Sequence, residues 1–129
     1  MTIELQILAW AIVLGIVHIS IAAVLTTQQR GAKWNAGNRD GDPKPLTGYA
    51  GRATRASHNF LETFVFYASA ALAVVLAHQN NHHSALGSEI YFAARLVYLP
   101  IYLIGIPYLR SAVWTISLLG LFLVLAPLF

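Results

Sequence analysis

The sequence contains no cysteine. Disulfides, thiolate metal sites and a protein-borne sulfur nucleophile are therefore excluded, and any thiol chemistry must arrive with a ligand. Charge is also scarce: Asp, Glu, Lys and Arg make up 10% of 129 residues, against roughly 25% in an average soluble domain. Hydrophobic residues supply 57%, and mean hydropathy is +0.62. At this length the chain makes one domain, residues 1–129, of the membrane class. The net charge of +3 comes without a basic stripe interleaved with aromatics, which argues against nucleic acid as a partner. Neither a phosphate-binding glycine loop nor a nucleophile–base signature is present. The stretch HQNNHH, with His78, His82 and His83, has no acidic or cysteine neighbour to complete a metal site, so no metal is expected and the histidines read as an exposed outer loop.

What the chain does have is long apolar runs. Four segments, about 3–26, 49–78, 87–106 and 108–128, are long enough at ~1.5 Å per residue to cross a ~30 Å hydrocarbon core. The opening run, MTIELQILAWAIVLGIVHIS, starts acidic and is too long for a signal-peptide core, so it reads as a retained span. Its lone His18 is expected to be a hydrogen-bonded residue of the bundle interior, with a proton gate at a subunit seam as the other reading. Residues 27–48 read as a loop rich in Gly, Asn, Asp and Pro. Gly105 and Pro107 suit the end of one helix and the start of the next. Arg30, Lys33, Arg39, Lys44, Arg52, Arg55 and Arg110 all fall on one side, and by the positive-inside rule that side is cytoplasmic and both termini lie outside.

Arg52, Arg55, Asn59 and Glu62 open the second span. Spaced 3, 4 and 3 apart, they fall within roughly 80° of one helix face. Thr63 and Phe66 are expected on the same side, and Tyr67 away from it. Glu62 would lie ~6 Å inside the hydrocarbon, where a carboxylate must face a partner helix or a cavity. His58 is expected at lipid headgroups or an adjacent subunit. On the third span Tyr91, Arg95, Tyr98 and Tyr102 repeat at 4, 3 and 4 and form a second stripe, with Arg95 ~10 Å deep. A structural salt bridge to Glu62 and an anionic ligand are both open to Arg95. The tyrosines cover ~16 Å of helix axis, too much for an interfacial belt, and Pro100 should bend the helix beside them. Together the two stripes suit a small zwitterion: guanidinium groups for carboxylates, Glu62 for an ammonium, Asn59 for an amide.

At these residues the chain resembles the MAPEG family, the membrane-associated proteins in eicosanoid and glutathione metabolism. The likeness rests on R-x-x-R-A-x-x-N-x-x-E (Arg52, Arg55, Ala56, Asn59, Glu62) and on A-R-L-x-Y (Ala94, Arg95, Leu96, Tyr98), with chain length and span order in agreement. YLPIYLIGIPYLR is similar to bacterial-type members, which implies a bacterial inner membrane. The resemblance implies an all-α integral membrane fold: a left-handed bundle of four transmembrane helices, assembled as a homotrimer, with glutathione as cosubstrate between subunits near the cytoplasmic face. By motif, Arg55, Asn59, Glu62, Arg95, Tyr98 and Tyr102 would hold glutathione, and Arg110 would be the catalytic arginine that stabilises its thiolate. The other reading of Arg110 is a plain cytoplasmic anchor. Transferase or peroxidase chemistry on lipophilic electrophiles drawn from the bilayer follows from the resemblance. A non-catalytic trimeric binding or accessory subunit is the competing reading, and a transporter a more distant third.

Overall fold

In the computed structural model, which describes residues 1–129, the chain forms α1 (Ile3–Arg30), α2 (Ala32–Ala36), α3 (Gly48–Leu76), α4 (His82–Ile104), α5 (Pro107–Leu125) and a closing 3-10 turn, Ala126–Leu128. The fold is all-α. Helices α1, α3 and α5 with its closing turn are long and apolar enough to cross a membrane. At 23 residues α4 would extend ~34 Å, but it opens on His82, His83 and Ser84 and carries Glu89 and Arg95, which dilute its apolar length. Trp10, Ile16, Val65, Phe66, Leu119 and Phe122 point outward, so the exterior is itself apolar, as a lipid-facing surface requires.

Several boundaries differ from the sequence expectation, each for a local reason. Helix α1 continues to Arg30 rather than stopping near 26, and Gly31 at φ 90° ends it with its N–H bonded to the Thr27 carbonyl. The segment expected to be a loop over 27–48 contains α2, pinned by a hydrogen bond from Asn35 Nδ2 to Thr27 Oγ1 at 2.9 Å. Gln29 then closes the connection: its side-chain amide donates to the Thr47 carbonyl at 2.8 Å and accepts from the Thr47 N–H at 3.0 Å. Helix α4 starts at His82, not 87, because Asn81 and Ser84 form a reciprocal capping box, which satisfies the free amides of the first turn. His82 and His83 are therefore helical. Pro100 does not interrupt α4, which stays helical through Ile104.

The buried Glu4 accepts a short hydrogen bond from Ser84 Oγ. A carboxylate is favoured at the positive end of a helix dipole, so the first turn of α1 anchors the start of α4. At the opposite end, Arg52 Nη1 donates to the Leu103 carbonyl at 3.1 Å and joins the start of α3 to the end of α4. Gly105, at φ 90°, then supplies the left-handed cap and Pro107 the first position of α5. Two apolar clusters fill the bundle, one around Tyr67, Tyr91 and Val74 and one around Tyr98, Leu99 and Val113.

Helix α4 packs most closely on α5, where Gly87 meets Gly120. A Cβ on Gly87 would fall 2.6 Å from the Gly120 carbonyl oxygen and 2.8 Å from the Val124 nitrogen, both backbone atoms that cannot swing aside. Small residues of this kind let helices approach where lipid offers little hydrophobic drive. Gly87→Ala is therefore expected to lower stability by about 1–3 kcal/mol in detergent unfolding, despite a helix-propensity gain of ~1 kcal/mol. Gly15→Ala should cost less, since its Cβ meets only the ring edge of Phe60, at 3.0 Å. A Gly87→Ala protein as stable as wild type would show that the two helices have room to spare.

Candidate functional site

A cavity of about 500 Å³ opens at the end of the bundle where α3 begins, α4 ends and α5 begins. Arg55, His58, Asn59 and Glu62 line it from α3, Tyr98 and Tyr102 from α4, and Arg110, Ser111, Trp114 and Thr115 from α5. The helical period explains the first two sets, since 55, 59 and 62 share a face of α3 and 98 and 102 a face of α4. The same rule places 110, 111, 114 and 115 together on α5. Six of the seven residues expected at the site line this cavity. The seventh, Arg95, lies behind its wall.

Tyr102 organises the cationic side. Its hydroxyl accepts from Arg55 Nε at 3.2 Å, and the Arg110 guanidinium carbon stands 4.7 Å from its ring centroid. One buried tyrosine thus holds two arginines from two helices, by a hydrogen bond and by a cation–π contact. Glu62 is exposed on the cavity rim. With guanidinium groups at one part and a carboxylate at another, the lining is itself zwitterionic.

Arg95 is 0% exposed. Its Nη1 donates to Asn59 Oδ1 at 2.9 Å, so of the two readings open to Arg95 the salt bridge to Glu62 is not the one formed, and the bond goes to the amide one helical turn earlier. The guanidinium carbon lies 4.4 Å from the Tyr98 ring centroid and 5.4 Å from that of Phe60. Nε and Nη2 have no acceptor. Arg95 therefore orders two lining residues, Asn59 and Tyr98, without itself reaching the cavity.

Other expectations turn out differently in part. Thr63 turns into the core, with Oγ1 3.2 Å from both the Phe60 carbonyl and the Tyr91 hydroxyl, whereas Phe66 keeps the angular position of the stripe and is 65% exposed beyond the cavity. Tyr91 keeps the face of the α4 row but lies deeper in the bundle than the cavity, stacked on Tyr67 at 4.2 Å inside the core. His18 is buried as expected but not hydrogen-bonded; it stacks on Phe60 at 4.7 Å and both ring nitrogens lack partners. His58 is exposed and lines the cavity. Ser111, Trp114 and Thr115 were not singled out in the sequence. Their one signal was helical spacing from Arg110.

The profile of the MAPEG family matches residues 7–129. This chain belongs to the MAPEG family. No curated protein and no solved structure matches it closely. The family match covers every lining residue of the cavity, and within this MAPEG chain the motif residues Arg55, Asn59 and Glu62 converge on one side of it.

Breaking the Arg95–Asn59 bond would leave a fully buried guanidinium with no hydrogen-bond acceptor. Asn59→Ala is expected to cost about 1–3 kcal/mol in thermal unfolding, and Arg95→Met in that background should return part of it by removing the stranded charge. A double variant no more stable than Asn59→Ala would show that the bond is not what Asn59 contributes.

Proposed function

We propose that this MAPEG protein binds glutathione in the cavity lined by Arg55, Glu62 and Arg110 and uses its thiolate to conjugate or reduce lipophilic electrophiles that enter from the bilayer. The observation that carries this reading is the convergence of Arg55, Arg110, Glu62, Asn59 and two tyrosines on one space of about 500 Å³, within the roughly 300–1,000 Å³ typical of small-molecule sites. Glutathione has two carboxylates, an ammonium, two amides and a thiol. The lining offers each a complement: guanidinium groups for carboxylates, Glu62 for the ammonium, and Asn59, Ser111 and Thr115 for amides.

Arg95 serves as a positioning residue that holds Asn59 and Tyr98. Arg110 is the catalytic residue. A cation beside a thiol favours the charged form and lowers its pKa, so Arg110 would stabilise the thiolate while the proton leaves to solvent. In conjugation the sulfur forms a C–S bond to an electrophilic carbon as that carbon's bond to its leaving group breaks and the leaving group departs with the electron pair. In reduction it attacks a peroxide oxygen, the O–O bond breaks and the released alkoxide takes a proton from solvent. A second glutathione then displaces the hydroxyl from sulfur to give glutathione disulfide and water. Proximity contributes much of the rate. Around this site we place four spans, α4 being the fourth, in a left-handed bundle assembled as a homotrimer. Both termini lie outside the cytoplasm, in a bacterial inner membrane. The gathering of Arg52, Arg55 and Arg110 at one end supports that orientation.

Glutathione titrated into the detergent-purified protein tests the reading. Binding is expected in the millimolar range or tighter, weakened roughly tenfold by Glu62→Gln. Arg110→Ala should retain binding but lose the thiolate difference absorbance and turnover. Absence of binding at millimolar glutathione would reject the enzyme and leave the accessory-subunit reading; unchanged turnover in Arg110→Ala would remove that residue from the mechanism.

A further inference from the structure

We propose that the smaller cavity beside the α4–α5 turn, where Arg52, Arg55 and Arg110 meet, binds the phosphate of an anionic lipid headgroup. This cavity, of about 170 Å³, is lined by those three arginines with Tyr102, Gly105, Ile106 and Pro107. No acidic residue is among them. Three guanidinium groups around one small space repel one another unless an anion is present, and guanidinium forks suit phosphate oxygens.

The local backbone adds to the field. Helix α5 begins here with Ile106 at its cap and no side-chain capping bond, and Pro107 at its first position, so the positive end of the 19-residue α5 lies at the cavity. Arg52 can lie against the turn because Gly105 has no Cβ, which would fall 3.1 Å from the Arg52 guanidinium carbon.

What selects a lipid over a soluble anion is the rim. Tyr49 sits 5.7 Å from the Arg52 guanidinium carbon, and Tyr108 is 89% exposed beside the turn. Ile104, Ile106 and Leu109, in and around the α4–α5 turn, are exposed as well. Exposed tyrosines at one helix end are the residues that settle at headgroup depth, and the isoleucines and leucine offer apolar surface to the first acyl carbons. A basic pocket flanked by membrane-facing side chains, at the end the positive-inside rule assigns to the cytoplasm, meets anionic lipid where its surface charge is greatest. This inference does not depend on glutathione, because Arg52, Gly105, Ile106 and Pro107 line only the smaller cavity. The two cavities do share Arg55, Tyr102 and Arg110, so the lipid would also fix arginines that face the larger one.

Native mass spectrometry of the full chain in detergent, titrated with phosphatidylglycerol or phosphatidylcholine and without glutathione, tests the assignment. Phosphatidylglycerol is expected to bind at least fivefold more tightly, and Arg52→Gln to remove roughly fivefold while leaving phosphatidylcholine adducts unchanged. Arg110→Gln keeps the Arg52–Leu103 bond and should have the same effect, so it decides the matter if Arg52→Gln does not fold. Arg39→Gln, which removes a charge from the connecting segment, should change nothing. Equal binding of the two lipids, wild-type binding by the folded variants, or an equal loss in Arg39→Gln would overturn the proposal. Displacement of the lipid by equimolar inorganic phosphate would overturn it in favour of a soluble anion.

Discussion

The bundle depends on a guanidinium placed where a charge is least welcome. Arg95 is fully buried, with one hydrogen bond to Asn59 and two aromatic faces, Tyr98 and Phe60, close to its charge. An unpaired ion in such surroundings would cost several kcal/mol, and cation–π contacts that are worth ~1 kcal/mol at a surface approach ~2 when desolvated. One charge-assisted bond and two such contacts offset much of that penalty only while α3 and α4 keep their present register. A shift of one residue would carry Asn59 roughly 100° around its helix and leave Arg95 without its only acceptor. Such a group adds little net stability, but it penalises other arrangements of the two helices.

This has a consequence for packing. The apolar interior divides into one cluster around Tyr67, Tyr91 and Val74 and another around Tyr98, Leu99 and Val113. Arg95, Asn59, Thr63 and His18 lie at the levels between and beside them. In a membrane, apolar burial discriminates weakly between helix arrangements, because lipid tails are as apolar as leucine. Specificity must come from close backbone approach and from polar pairs. Gly87 against Gly120 supplies the first for α4 and α5; Arg95–Asn59, Glu4–Ser84 and Arg52–Leu103 supply the second for α4 against α3 and α1. Helix α4 is the one that every one of these contacts reaches.

Much of this was legible in the sequence because helical periodicity is a local property. Spacings of 3 and 4 put Arg55, Asn59 and Glu62 on one face and Tyr98 and Tyr102 on another, and the cavity is where those faces meet. What periodicity does not contain is depth within the bundle or rotation of one helix against another. Tyr91 and Arg95 share the α4 stripe but sit behind the cavity, and Phe66 shares the angular position of the α3 stripe yet points outward. The α5 contribution was missed for a related reason: Ser111, Trp114 and Thr115 are ordinary residues whose relevance comes only from Arg110 beside them. Helix ends were obscured by capping, since Asn81 with Ser84 extends α4 by one turn that hydropathy alone reads as loop.

The polar lining has one further consequence, for assembly. Tyr98 and Tyr102 are buried, but Arg55, His58, Glu62, Ser111 and Thr115 remain exposed on the single chain. Glu62 lies about one turn beyond His58, or ~6 Å along the axis. A carboxylate at that depth against hydrocarbon would cost several kcal/mol. The tyrosines can hold the arginines, yet nothing within one chain covers Glu62. In the proposed homotrimer a neighbouring copy of the chain would close over this side of the cavity and complete the wall around the proposed glutathione. In that proposed arrangement site and assembly would stabilise each other, because the carboxylate exposed on the single chain is the group that a zwitterionic ligand and a second subunit would share.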